Sequence, residues 1–334
     1  MPAMVDDIYA RTIKMFGSRP EPAFETAAEL KAVWGREWGC DTDVGKLKTV
    51  LMHRPGSEFD IIDTTKRLER IGSYGDIEEG WYFQSDTIPD LPSMQADHDG
   101  LVRVLKEEGV EVIMLEGDIG GRFKSCYTRD SSIAVKGGAI VSRLAPKMRR
   151  GEELPVTRTL ARHGVPILHT INGTGMLEGG SFAWLNSGTA VVGRSIRVNN
   201  AAIEQLENTL KHQGVELIVT DLCGYSIHID LYFLMIDVNL ALVNAANLAY
   251  EFLQQLKQMN IDTVEITPDD DPWVMNGLAV APGRVIMSPG LSAGTRAELE
   301  RRNIEIIEIP YGNMQKNGGS IHCSTCPLMR EPVD

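Results

Sequence analysis

A helix-ending residue followed by a β-branched strand recurs five times along this chain. The junctions are Gly109 before VEVIML, Gly164 before VPILHT, Gly214 before VELIVT, Asn260 before IDTVEIT and Asn303 before IEIIEIP. Gly or Asn past the end of a helix takes the left-handed backbone conformation that stops it. Successive junctions lie 55, 50, 46 and 43 residues apart. Recurrence at roughly this spacing marks a repeat architecture. The helices before the junctions carry apolar faces: Ile203, Leu206 and Leu210 in 200–213, and Leu248, Phe252 and Leu256 in 248–259. Between consecutive junctions sits a hairpin, two apolar runs around a short polar or Gly/Pro turn: SSIAV-KGG-AIVS, SFAWL-NSG-TAVVG, LYFLMI-DVN-LALVN and GLAVA-PGR-VIMSP. The unit is therefore strand, strand, helix, strand. A fifth hairpin is missing from the middle of the chain. Its expected halves are KLKTVLMHRP (46–55) and the stretch around Ser320–Leu328, so that joining the two ends closes a ring of five units. An ordinary doubly wound sheet would alternate single strands with helices and leaves the hairpins unexplained.

The expected fold class is thus α/β: a five-bladed, pseudo-symmetric ββαβ propeller around a central active site. A length of 334 residues allows one large domain or two ordinary ones. The repeat favours one catalytic domain over 1–334, with 1–45 as an N-terminal extension and 56–93 as an insertion without clear period. The insertion holds Trp81, Tyr82 and Phe83, and either covers a pocket mouth or is an ordinary surface excursion.

Charge and cysteine usage narrow the partners. Lys and Arg total 33 against 46 Asp and Glu, a net charge of -13. A nucleic-acid binder needs a basic surface, whereas this field favours small cations. No run of about 18 apolar residues occurs, so no membrane span is expected, and MPAMVDDIYARTIKMF has no signal-peptide core. Five cysteines, an odd number in a core-forming chain, suit free thiols in a reducing, cytoplasmic setting. Cys323 and Cys326 have no second pair with which to complete a zinc site; no metal is expected.

The reactive side chains follow the repeat. Thr128-Arg129-Asp130 precedes the first hairpin, Glu178-Gly179-Gly180 the second and His228-Ile229-Asp230 the third; Gly318-Gly319-Ser320-Ile321-His322-Cys323 belongs to the closing unit. If the units surround an axis, residues some 50 apart share one pocket. Cysteine is the strongest nucleophile at neutral pH once deprotonated, and His supplies acid and base. Asp130, Glu178 and Asp230 suit a cation, and a planar guanidinium is the cation that carboxylates grip bidentately. Held there, its central carbon faces Cys323, and its charge favours thiolate over thiol. Taken singly, each residue has a plainer reading: a buried thiol for Cys323 and Cys326, a core histidine for His228, a neighbour for His322, a turn for Glu178, and surface ion pairs for Asp130, Arg197 and the Arg149–Arg150 pair. Their joint placement on one repeat phase is what points to a site.

These motifs resemble the guanidino-group modifying superfamily, which comprises arginine deiminases, dimethylarginine hydrolases, agmatine deiminases and amidinotransferases. The resemblance covers about 46–330 and rests on TRD (128–130), EGG (178–180), HID (228–230) and GGSIHCSTCPL (318–328), with weaker support from HRPG (53–56) and APGRVI (281–286). It implies the five-bladed pentein fold, Cys323 as nucleophile, His228 as general acid and base, Asp130 and Asp230 on the guanidino nitrogens, and Glu178 beside His228 and the substrate. It also implies that Arg197, in GRSIRVN, and one of Arg149 and Arg150, in KMRRGEE, hold a substrate carboxylate. No cofactor is implied; the partner is a small guanidino compound, and a homo-oligomer is compatible with the family. Two departures stand out: Ser181 replaces the Asp of the EGGD motif usual in arginine deiminases, and Lys124 stands where they carry Asn. Both point to a substrate tail other than that of free arginine. The EGG segment favours a cysteine-dependent amidinohydrolase of the deiminase type, acting on arginine or an arginine-like compound through a covalent thiouronium intermediate. HID before a hairpin, and HCSTC with Arg330 nearby, resemble the amidinotransferase side, in which an amine receives the amidino group.

Overall fold

A computed structural model describes residues 8, 10, 11, 26–88 and 90–333. Most of the expected extension before residue 26 lies outside the described residues. After helix α1 (Ala27–Trp34), the chain packs into the body of the fold: Trp38, Cys40 and Val44 are buried, and the amide of Gly39 donates to the carbonyl of Leu328 at 2.9 Å.

The ends of the chain meet as the repeat requires. Strand β1 (Leu47–Met52) is followed by the insertion, which forms its own antiparallel sheet from β2 (Arg67–Leu68), β3 (Ser73–Asp76) and β4 (Trp81–Phe83). Helix α2 (Leu91–Glu107) then leads to β5 (Glu111–Met114), which pairs parallel with β1. Three repeats follow: β6 (Ser132–Val135), β7 (Gly138–Val141), α3 (Glu153–Arg162) and β8 (Ile167–Thr170); β9 (Phe182–Asn186), β10 (Thr189–Arg194), α4 (Asn200–His212) and β11 (Glu216–Asp221); β12 (Phe233–Asp237), β13 (Leu240–Val243), α5 (Tyr250–Gln258) and β14 (Asp262–Glu265). The last full repeat is β15 (Leu278–Ala281), β16 (Arg284–Met287), α6 (Ala293–Arg301) and β17 (Glu305–Glu308). A short helix, α7 (Gly312–Gln315), precedes β18 (Cys326–Arg330), which pairs antiparallel with β1. Five sheets therefore share one plan, an antiparallel hairpin plus a parallel third strand reached through a helix.

Local chemistry explains the plan. All five junction residues have positive φ: 78° at Gly109, 75° at Gly164, 70° at Gly214, 57° at Asn260 and 60° at Asn303. Only Gly, and at some cost Asn, takes this conformation readily. The hairpin strands are buried almost throughout, whereas the parallel third strands are largely exposed or half-buried. The predicted faces are buried: Ile203, Leu206 and Leu210 pack with Trp184, Ala190 and Val192, and Phe252 and Leu256 pack with Phe233 and Leu242. At about 1.5–3 kcal/mol per fully buried large apolar side chain, these faces, not helix propensity, hold the helices in place. Leu248 is buried too, but it lies two residues ahead of α5. The first strands also touch one another: β6 meets β18, β9 meets β12, β12 meets β15 and β15 meets β1. Among the described residues no helix is long and apolar enough to cross a membrane.

Candidate active site

The turns that lead into the hairpins carry the chemistry. Short 3-10 turns span Thr128–Ser131, Gly179–Ser181, Ile229–Leu231 and Pro272–Asn276, each just before its first strand. The first touches the second, the second the third, and the third the fourth, while the first also meets β18 below Cys323. Residues about 50 apart in sequence are thereby brought to one place. The tight approach explains the two glycines of EGG. A Cβ on Gly179 would lie 2.2 Å from the carbonyl oxygen of Arg129, and one on Gly180 would lie 2.8 Å from Nδ1 of His228 and 2.9 Å from Oδ1 of Asp130.

A cavity of about 110 Å³ opens at this convergence, and Cys323, His228 and Asp130 all line it. Its mouth is bordered by Tyr82 and Gln84 of the insertion, and by Trp273. Nε2 of His228 pairs with Oε2 of Glu178 at 2.8 Å and stands 3.6 Å from Oδ1 of Asp130. The same Asp130 oxygen accepts the amide of Gly180 at 3.1 Å. Behind the cysteine, Sγ lies 3.9 Å from Oδ2 of Asp230, which also pairs with Nδ1 of His322 at 2.8 Å. The other Asp230 oxygen, Oδ1, is buried and has no hydrogen-bond partner. A buried unpaired carboxylate oxygen is costly; its carboxylate lies behind the thiol, and Asp230 itself is not part of the cavity wall.

The electrostatics separate the two reacting groups. Burial pushes the Cys323 thiol well above its ordinary pKa, and the charges of Asp230 and Asp130 push it further, so its surroundings favour the protonated thiol. Burial pulls His228 the other way, but Asp130 and the hydrogen bond that the ring donates to Glu178 more than offset it, and its pKa is raised. Glu178 is correspondingly held low: its burial is outweighed by His228, Arg149 and Arg197. His322 is kept neutral by burial and by nearby Arg129, against the pull of Asp230. The surroundings thus favour the protonated form of His228, which suits a proton donor, and leave His322 a neutral ring that holds Asp230.

The sequence-predicted residues fall into place unequally. Cys323, His228, Glu178, Asp130 and Asp230 lie close together, with Glu178 fully buried behind His228. Arg197 lines the cavity, yet its Nη1 is bonded to both oxygens of Glu178, at 3.1 and 2.8 Å. Of the neighbouring pair, Arg149 is in the cavity wall and Arg150 is not: Arg150 is exposed and donates to the carbonyl of Leu144 at 2.8 Å. Even Arg149 is largely occupied. Its Nη1 bonds Asp130, and its Nε and Nη2 bond Glu152 at 2.9 and 2.8 Å. Two residues expected to face different ends of a substrate therefore face each other, because a buried guanidinium needs carboxylate partners. Arg330 lies outside the cavity wall, with Nη1 on the carbonyl of Gly45 at 2.7 Å.

Sequence reasoning passed over Asn276. Its Oδ1 accepts the amide of Cys323 at 3.1 Å and its carbonyl accepts the amide of His322 at 2.9 Å, which fixes the loop that carries the nucleophile. The signal was available, since Asn276 precedes the fourth hairpin at the phase of Asp130 and Asp230. The role of His322 in holding Asp230 had no such signal. Asp130, Glu178 and His228 also present atoms within 4.8 Å of one another, a spacing a divalent ion could use. Arg149 and Arg197 already neutralise those carboxylates, so an ion there would meet two fixed positive charges. All five cysteines are free; only Cys223 is exposed.

Comparison with known proteins identifies a family and a shared fold. Residues 90–330 match the family model described as N,N dimethylarginine dimethylhydrolase, eukaryotic. An uncharacterized protein of Bacillus subtilis, YkgA, is 26% identical over 295 residues, covering 87% of this chain and 95% of its own. A solved mutant of the DDAH of Pseudomonas aeruginosa, complexed with citrulline, superposes with a TM-score of 0.66 at 21% identity, covering 85% of this chain and all of that one. SxtG, a Microseira wollei amidinotransferase of the saxitoxin biosynthetic pathway, superposes with a TM-score of 0.70 at 13% identity, covering 89% of this chain and 98% of that one.

Proposed function

The chain belongs to the N,N dimethylarginine dimethylhydrolase family, and from that premise we propose that it is a cysteine-dependent amidinohydrolase of small guanidino compounds. In this reading the five ββαβ units stand as blades around the cavity. The observation that carries the proposal is that the buried thiol of Cys323 and the imidazole of His228 line one cavity with Asp130, while Asp230 beside the thiol has an unpartnered oxygen.

The chemistry follows from the charges. A guanidinium entering the cavity offers N–H donors to Asp130 and to Oδ1 of Asp230 and places its central carbon over Sγ of Cys323. Its positive charge offsets the carboxylates that keep the thiol protonated, so the thiol releases its proton to solvent as the cation binds. The Cys323 thiolate adds to the guanidino carbon. The carbon–nitrogen bond to the leaving amine then breaks as His228 donates its proton to that nitrogen. A thiouronium remains on Cys323. Water, deprotonated by the now neutral His228, adds to the same carbon, the carbon–sulfur bond breaks, and a ureido product leaves. Glu178 holds the His228 ring and stabilises its charged form. Tail recognition rests on the cationic part of the cavity wall.

Incubating the protein with a panel of guanidino compounds, and following both product and protein mass, tests the reading. Ammonia or an alkylamine with a ureido product, and an adduct on Cys323, are expected. No turnover of any compound, together with no binding to Cys323→Ser, refutes it. A second reading, amidino transfer, shares every step up to the thiouronium and replaces water by an amine; the HCSTC motif favours it. Product formation that depends on added glycine, lysine or ornithine would select it.

A further inference from the structure

The cavity wall is lopsided in charge. Asp130 is the one acid among its lining residues, against Lys124, Arg149 and Arg197. Two of these cations are already paired: Arg149 with Asp130 and Glu152, and Arg197 with Glu178. Lys124 is not. It is buried, its ammonium donates to the carbonyl of Asn317 and lies 4.9 Å from the ring centroid of Tyr82, and among the described residues no carboxylate comes within ion-pair distance of it. A buried ammonium without a counter-charge is expensive to maintain. Burial accordingly lowers its pKa to about 7, with Arg149 and Arg197 adding to the effect and Cys126 opposing it. A bound anion would relieve that cost, and the free ends of the cavity can accept one.

We propose that Lys124 is the specificity-determining residue, which pairs with the carboxylate of a guanidino acid that lacks an α-ammonium group. The inference rests on the amidinohydrolase reading of the site. Asp130 and Asp230 take the guanidinium end beside Cys323, which leaves no acid in the wall for a second cation. An α-ammonium in the tail would face Lys124 and the two arginines without a partner. A carboxylate in the same place gains a charge-assisted bond to Lys124 Nζ. Tyr82 of the insertion flanks that ammonium, which ties the insertion to substrate choice.

The test compares wild type, Lys124→Gln and Lys124→Met on three probes: 4-guanidinobutyrate, which has a carboxylate only; L-arginine, which has a carboxylate and an ammonium; and n-butylguanidine, which has neither. Wild type is expected to show kcat/KM at least about tenfold higher for 4-guanidinobutyrate than for either other probe. Lys124→Gln, which keeps a donor for the Asn317 carbonyl, should lose about 10- to 100-fold on 4-guanidinobutyrate, mostly in KM, and less than about threefold on n-butylguanidine. Equal losses on both probes, or a wild-type preference for arginine, would overturn the proposal. If wild type turns over none of the three, the hydrolase reading falls separately. Calorimetric binding to Cys323→Ser then decides the point about Lys124: 4-guanidinobutyrate bound more tightly than n-butylguanidine upholds it, and equal affinities reject it.

Discussion

Replacing Gly180 by Ala probes the geometry of the site with a single methyl group. The backbone there does not need the left-handed region, so the effect is steric. The new Cβ would stand 2.8 Å from Nδ1 of His228 and 2.9 Å from Oδ1 of Asp130, where ordinary contact begins near 3.4 Å. Each group must therefore retreat by about half an ångström. Neither can do so freely, because His228 is tied to Glu178 at 2.8 Å and Asp130 to Arg149. Overpacking of this kind costs about 1–3 kcal/mol of stability. Displacing an acid–base group by a fraction of an ångström from the reacting carbon should lower kcat by about 10- to 100-fold. Gly188→Ala is the control, because its Cβ meets nothing nearer than Asn186 Oδ1 at 3.6 Å. Steady-state kinetics with a turned-over guanidino compound, beside a denaturant melt, make the measurement. Wild-type kcat and KM in Gly180→Ala would refute the claim that His228 and Asp130 act at the spacing described.

Cys223, the exposed cysteine, should react with iodoacetamide first, while Cys323 reacts slowly at pH 7 because its thiol pKa is raised; a cationic haloacetamidine should reverse that order, as peptide mass mapping would show. Glu178→Gln should lower the pKa of His228 and reduce kcat by about 100-fold, and because it strips Arg197 of its buried partner it should also cost about 3–5 kcal/mol in a denaturant melt. The His228–Glu178 pair should make stability depend on pH in a defined sense. The raised pKa of His228 contributes stability that is complete below its unfolded value of 6.5 and is lost as pH rises through the folded value. The lowered pKa of Glu178 contributes stability present above its unfolded value of 4.5 and lost as pH falls through the folded value. The change in melting temperature from pH 6 to 9 should therefore be more negative in wild type than in His228→Gln, a difference that leaves out the opposite contribution of Lys124 common to both. At the helix ends, Asn260→Gly should be neutral or stabilising, whereas Asn260→Ala should cost about 1 kcal/mol, because φ is 57° there.

The repeat, the hairpins and the closing of the chain by its two ends were legible because they depend on local rules. Gly or Asn must follow a helix, apolar runs must flank a short turn, and equal spacing implies equivalent units. The reactive set Asp130, Glu178, His228, Asp230 and Cys323 was legible for the same reason, since it tracks the phase of that repeat. Pairing among those groups was not legible. Whether Arg149 meets a ligand or meets Asp130 and Glu152, whether Arg150 turns outward, and whether Lys124 is left without a counter-charge are decided by which guanidinium reaches which carboxylate across elements far apart in sequence. The amino-acid order determines which charges arrive at the cavity; only packing determines how they neutralise one another, because the energy of a buried charge depends on its partners within a few ångströms and on the water that folding removes.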